Sequence, residues 1–61
     1  MNRLTKEANS LTQLLVGKVV GIVRRHRSAE VLIEFTDGTR LFVDRTDDGL
    51  EFSVTGGQSS D

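Results

Sequence analysis

The densest chemistry-bearing run in this 61-residue sequence is Arg24-Arg25-His26-Arg27, three guanidinium groups within four positions. Contacts from Arg and Lys to phosphate supply most non-specific nucleic-acid affinity. Arg24, Arg25 and Arg27, with Lys18 nearby, are therefore candidate anion or nucleic-acid contacts. The rest of the chain speaks against that use. It has no Tyr or Trp, and its three Phe fall at strand-like positions, so no stacking platform for single strands is evident. A net charge of −1 also lacks the basic footprint of a nucleic-acid binder. An acidic protein partner and a plain solvated turn are the competing readings of this run.

Four other constellations invite chemistry and fall short of it. Asp44, Thr46 and Asp48 alternate before Gly49 as in an oxygen-rich calcium loop. A twelve-residue loop starting at Asp44 would end at Thr55 instead of a bidentate Glu, so a strand-connecting turn is the better account. His26 with Ser28 is the one base and hydroxyl pair near enough to consider for nucleophilic catalysis, but neighbours two apart on an exposed turn pair poorly. Gly17-Lys18 lacks the upstream glycine and following Ser or Thr of a phosphate loop. Glu30, Glu34 and Asp44 share the less apolar face of the expected sheet, where Arg40 neutralises Glu34. Cysteine is absent and histidine occurs once, which removes Cys-based zinc sites and disulfides. The expectation is a non-enzymatic chain with no catalytic, cofactor or metal residues.

The elements that must position these residues follow from apolar spacing. Leu4, Ala8, Leu11 and Leu15 recur at helical intervals with Leu14 beside them, predicting a helix over 3–16 capped by Asn2 and stopped at Gly17. Val19, Val20, Ile22 and Val23 then read as a strand, with Gly21 marking a bulge or close contact. Residues 24–28 hold no apolar side chain and form a turn. Strands at 29–36 and 39–44 flank Asp37-Gly38, a strong hairpin signal. A three-residue loop Thr36-Asp37-Gly38 sets Ile33 opposite Leu41, Val31 opposite Val43, Glu34 opposite Arg40 and Leu32 opposite Phe42, whereas a two-residue loop would mix polar and apolar side chains on both faces. Asp47-Asp48-Gly49 is the next turn, before a half-buried strand at 50–54. Residues 55–61 are polar and Gly/Ser-rich and read as a disordered tail.

The expected architecture is α+β: one N-terminal helix packed on one face of a four-stranded antiparallel meander, with curling toward a small barrel as an option, all within a single domain over 1–54. The helix stripe is expected to cover Val31, Ile33, Phe35, Leu41 and Val43. That leaves Leu32 and Phe42 as an apolar island on the other face, which Val19 and Val23 can extend.

At 61 residues a lone core is marginal, and oligomerisation is the natural remedy where disulfides and metals are absent. The leading expectation is therefore a protein-interaction module, homodimer or accessory subunit, using Leu32, Phe42, Val19 and Val23. Nucleic-acid binding through the basic turn is the alternative. No apolar run approaches the roughly 18 residues of a membrane span, so no membrane association is expected and the chain reads as cytoplasmic. Charge is unevenly divided. Residues 1–27 carry Arg3, Lys6, Lys18, Arg24, Arg25 and Arg27 against Glu7, a net of +5, and residues 28–61 carry the balancing −6. Such asymmetry can orient head-to-tail association.

Overall fold

Asn2 caps the helix as its position suggests: its side chain accepts a 2.9 Å hydrogen bond from the Thr5 N–H. A computed structural model describes residues 2–56. Helix α1 spans Arg3–Leu15. It ends where Val16 N–H still reaches Thr12 O at 2.8 Å and Gly17 takes φ 81°, the expected stop.

Four strands follow, β1 (Val20–Arg24), β2 (Glu30–Phe35), β3 (Thr39–Thr46) and β4 (Gly49–Gly56). Each is hydrogen-bonded antiparallel to the next in the order β1-β2-β3-β4. The α-β-β-β-β meander is thus the one expected, and it remains an open sheet whose two edges do not meet.

The β2–β3 register is the one the apolar alternation demands. Val31 faces Val43, Leu32 faces Phe42, Ile33 faces Leu41 and Glu34 faces Arg40. The loop closes with Gly38, at φ 93°, donating its N–H to Phe35 O at 3.0 Å. Only glycine adopts that conformation without strain.

The second hairpin is tighter than expected. Thr46 pairs with Gly49, so Asp47 and Asp48 alone make the turn and Gly49 opens β4. The shorter loop sets Val43 against Phe52 and Leu41 against Val54, which keeps apolar side chains on one face. Thr46 Oγ1 holds the turn, accepting from Asp48 N–H and donating to Gly49 O. β4 also continues past the expected domain boundary at Val54: Thr55 pairs with Arg40 and Gly56 with Thr39, because β3 offers partners that far. Residues 57–61 of the expected tail lie outside the described residues.

Cross-strand pairs place Val20, Val23, Val31, Ile33, Phe35, Leu41, Val43, Leu50, Phe52 and Val54 on one face, and Ile22, Arg24, Glu30, Leu32, Glu34, Phe42, Asp44 and Glu51 on the other. The first half of α1 stands beside the start of β4, since Leu4, Ala8 and Leu11 line an open cleft with Leu50 and Phe52. The chain then returns to the far end of the sheet, where Val19 O accepts from Thr36 N–H and Lys18 pairs with Asp37.

The distribution of burial corrects the expected one. No residue of α1 is buried, and Val31, Ile33, Phe35, Leu41 and Val43 are half-buried. Among the described residues the one buried apolar side chain is Leu32, 6 % exposed, on the face expected to be open. Leu32 occupies an inner strand with Arg24 directly opposite on one side and Phe42 on the other. Direct cross-strand partners lie ~5 Å apart, a distance at which side chains as long as these can shield it.

Candidate interaction surface

The basic turn is built largely from cations already engaged. Arg24 Nε bonds Glu34 Oε2 at 3.0 Å, and Arg40 Nε lies 3.7 Å from the same oxygen. One carboxylate thus serves two guanidinium groups. Arg25 folds back over its own turn, donating from Nε to Glu30 O at 2.8 Å and from Nη2 to Ser28 O at 2.7 Å. Arg27 and His26 stay exposed at the tip. No hydrogen bond joins His26 to Ser28. The structure therefore assigns Arg24 and Arg25 to holding β1 and β2 together and leaves Arg27 as the freest cation of the expected anion site.

Lys18 is also occupied. Its Nζ pairs with Asp37 Oδ2, and Asp37 Oδ1 accepts from Thr39 N–H at 2.9 Å. The Lys18 hydrogen bond, followed by the Thr39 backbone and side-chain bonds, lowers the Asp37 pKa from 3.8 to about 2. Because the folded pKa lies below the unfolded one, this group stabilises the fold fully above about pH 4, and that contribution disappears as pH falls through about 2. Asp37→Asn should consequently be less stable than the unaltered chain at pH 6, with the gap closing on acidification toward pH ~2. Urea midpoints measured across that range check it, and a gap independent of pH would contradict the assignment.

The apolar surface is more extensive than the expected island and differently placed. Val23 lies opposite Ile33 and not on the Leu32 face, because a bulge between Val20 and Ile22 shifts the alternation of β1. Every residue of β1 is exposed. Val20, Ile22 and Val23 lie on an edge strand with no partner on its outer side among the described residues, and Val19 exposes a further apolar side chain just before it. Leu32 is withdrawn from the surface and Phe42 is half-buried. The interface residues expected from the sequence thus separate, Val19 and Val23 to the exposed edge, Leu32 to the interior.

On the opposite side of the molecule, the cleft between α1 and the β3–β4 hairpin has a volume of about 680 Å³. Leu4, Ala8 and Leu11 face Leu50 and Phe52 across it, with Arg3, Glu7, Asp48 and Glu51 contributing charge. Leu4 and Leu50 are 65 % and 61 % exposed.

No known protein family, curated protein or solved structure matches the chain. Its reading rests on its own geometry.

That geometry includes one arrangement the sequence did not disclose. Glu30 faces Asp44 and Asp44 faces Glu51, so three carboxylates line up across three strands, and among the described residues no ion pair reaches any of them. Like charges directly opposite one another destabilise a sheet. Together with Asp47 and Asp48 in the adjacent turn they make the β4 side of this end acidic, and Arg24, Arg25 and Arg27 make its β1 side basic. Glu51 escaped notice because its face depends on whether the Asp47-Asp48 loop holds two residues or three. Among the described residues no helix is long and apolar enough to cross a membrane.

Proposed function

We propose that this chain is a non-enzymatic protein-interaction module that completes its burial by associating with further copies of itself. One observation carries the reading: a single apolar side chain is buried among the described residues, and eight large ones, on α1, the following connector, β1 and β4, are 43–73 % exposed. Apolar surface of that extent, concentrated at the free edge of β1, marks an association surface more often than scattered exposure does. A chain of this size also gains most from added burial. The engaged state of Lys18, Arg24 and Arg25 favours this reading over anion binding. With no cysteine to exploit an oxidising compartment, we place the module in the cytoplasm.

Sedimentation equilibrium over a wide concentration range tests the proposal. The weight-average mass should climb above the 6.7 kDa of one chain as concentration rises. A mass fixed at one chain throughout would overturn it.

A further inference from the structure

We infer that copies join head to tail, the free edge of β1 in one copy pairing antiparallel with the free edge of β4 in the next, with Val23 opposite Phe52 and Arg24 opposite Glu51. The inference rests on the self-association reading and specifies its surface and register.

Backbone direction selects the residues able to pair. Thr36 N–H donates to Val19 O, so alternation turns Glu34 and Leu32 toward β1 and, with them, their partners Ile22 and Arg24 toward β2. Val23 therefore points its N–H and C=O outward. Val20 does likewise, since its partner Phe35 turns toward Gly38 in the other hairpin. On β3, Arg45 N–H donates to Ala29 O, which turns Leu41 and Val43 toward β2 and leaves Phe42 and Asp44 facing β4. Their partners Ser53 and Glu51 face inward, and Leu50, Phe52 and Val54 present outward groups. The outward hydrogen-bonding positions Val20, Val23, Leu50, Phe52 and Val54 are thus apolar, and their side chains all lie on one face of the sheet.

A meander of four strands runs β1 and β4 in opposite directions, so a second copy in the same orientation brings its β4 antiparallel to β1 with matching faces. Setting Val23 against Phe52 of the second copy makes a hydrogen-bonded pair, and beyond the bulge Val20 meets Val54 of that copy. On the side of Val23 away from Val20, Arg24 falls opposite Glu51 of the second copy. Arg24 shares its own carboxylate with Arg40, and Glu51 has only Asp44 facing it, so each gains a counter-charge. The basic turn of one copy then lies alongside the Asp47-Asp48 turn of the next. A two-fold pairing of β1 with β1 that sets Val20 against Val23 instead puts Arg25 opposite Lys18, cation against cation. β1 carries no proline and no charge within its apolar run, the devices that normally keep an edge from pairing. Head-to-tail contacts are heterologous, so they extend into a ring or a filament.

Charge reversal tests the register. Arg24→Glu or Glu51→Arg alone should weaken association about tenfold or more, by setting like charges together at every contact. An equimolar mixture should recover wild-type assembly, because alternating copies restore an opposite-charge pair at each junction. Singles that assemble like wild type, or a mixture that does not recover, would overturn the pairing and leave the self-association reading standing. A wild-type chain that never associates would overturn both. Cross-linking keeps the test independent of how the reversals fold. Val23→Cys mixed with Phe52→Cys in this cysteine-free chain should oxidise mainly to the mixed dimer, as hydrogen-bonded partners ~5.5 Å apart are within disulfide reach. Predominance of either same-variant dimer would contradict the inference.

Discussion

Leu32→Ala should remove most of the stability of this chain. Truncating a buried leucine costs about 2–5 kcal/mol from lost transfer energy and the cavity left behind. At ~0.05–0.15 kcal/mol per residue, a chain of this length has only about 3–9 kcal/mol to lose. Leu32 is the one apolar side chain below the exposed or half-buried range among the described residues, at the centre of β2 between Arg24 and Phe42. Among the described residues no second buried apolar side chain stands by to compensate. Leu14→Ala, which truncates a leucine that is 53 % exposed on α1, should stay within about 0.5 kcal/mol of the parent. Denaturant unfolding of the two variants side by side checks the contrast, and equal losses would mean that the helix stripe and not Leu32 anchors the fold.

Gly56→Ala should cost about 1–3 kcal/mol, more than its place at the end of β4 suggests. Gly56 has φ 71°, in the left-handed region, and a methyl group added there would sit 2.7 Å from the carbonyl oxygen of Gly38. That oxygen belongs to the backbone of a tight loop and cannot swing aside. Relief would pull the end of β4 from β3 and expose Thr39, which is 3 % exposed and directly opposite Gly56. Gly17→Ala supplies the comparison. It shares the positive φ, at 81°, but a methyl group there meets nothing within 4 Å, so it should pay the conformational cost alone. Thermal unfolding should rank Gly56→Ala clearly below Gly17→Ala, and the reverse order would show the Gly38 contact to be unimportant.

These two residues mark where the sequence was and was not legible. The Asp37-Gly38 hairpin was readable because one loop length alone keeps Val31, Ile33, Leu41 and Val43 on a common face. Helix α1 was readable from its stripe and from Asn2 and Gly17 at its ends. The burial of Leu32 was not, because alternation assigns a side chain to a face without saying which face its neighbours cover. Arg24 comes to lie opposite Leu32 only once β1 has paired, and the bulge near Gly21 decides that pairing. The same bulge moved Val23 to the opposite face. The two-residue Asp47-Asp48 loop likewise set the acidic row of Glu30, Asp44 and Glu51, which a loop one residue longer would have broken.

The residues of the expected interface separate for the same reason. Val19 and Val23 are exposed by virtue of the edge position of β1, and Leu32 is buried by virtue of the inner position of β2. A lysine at position 32 would therefore disrupt the fold before it could report on association. Val20 and Val23 are the informative residues, since their backbone groups point outward from the sheet edge and their side chains are exposed.

Sedimentation equilibrium of the unaltered chain, with thermal unfolding recorded on the same samples, decides whether copies of the chain bury one another's apolar surface. If association completes the core, mass and unfolding midpoint rise together with concentration, as binding to the folded state alone requires. A mass of 6.7 kDa with a midpoint unchanged at every concentration would contradict it.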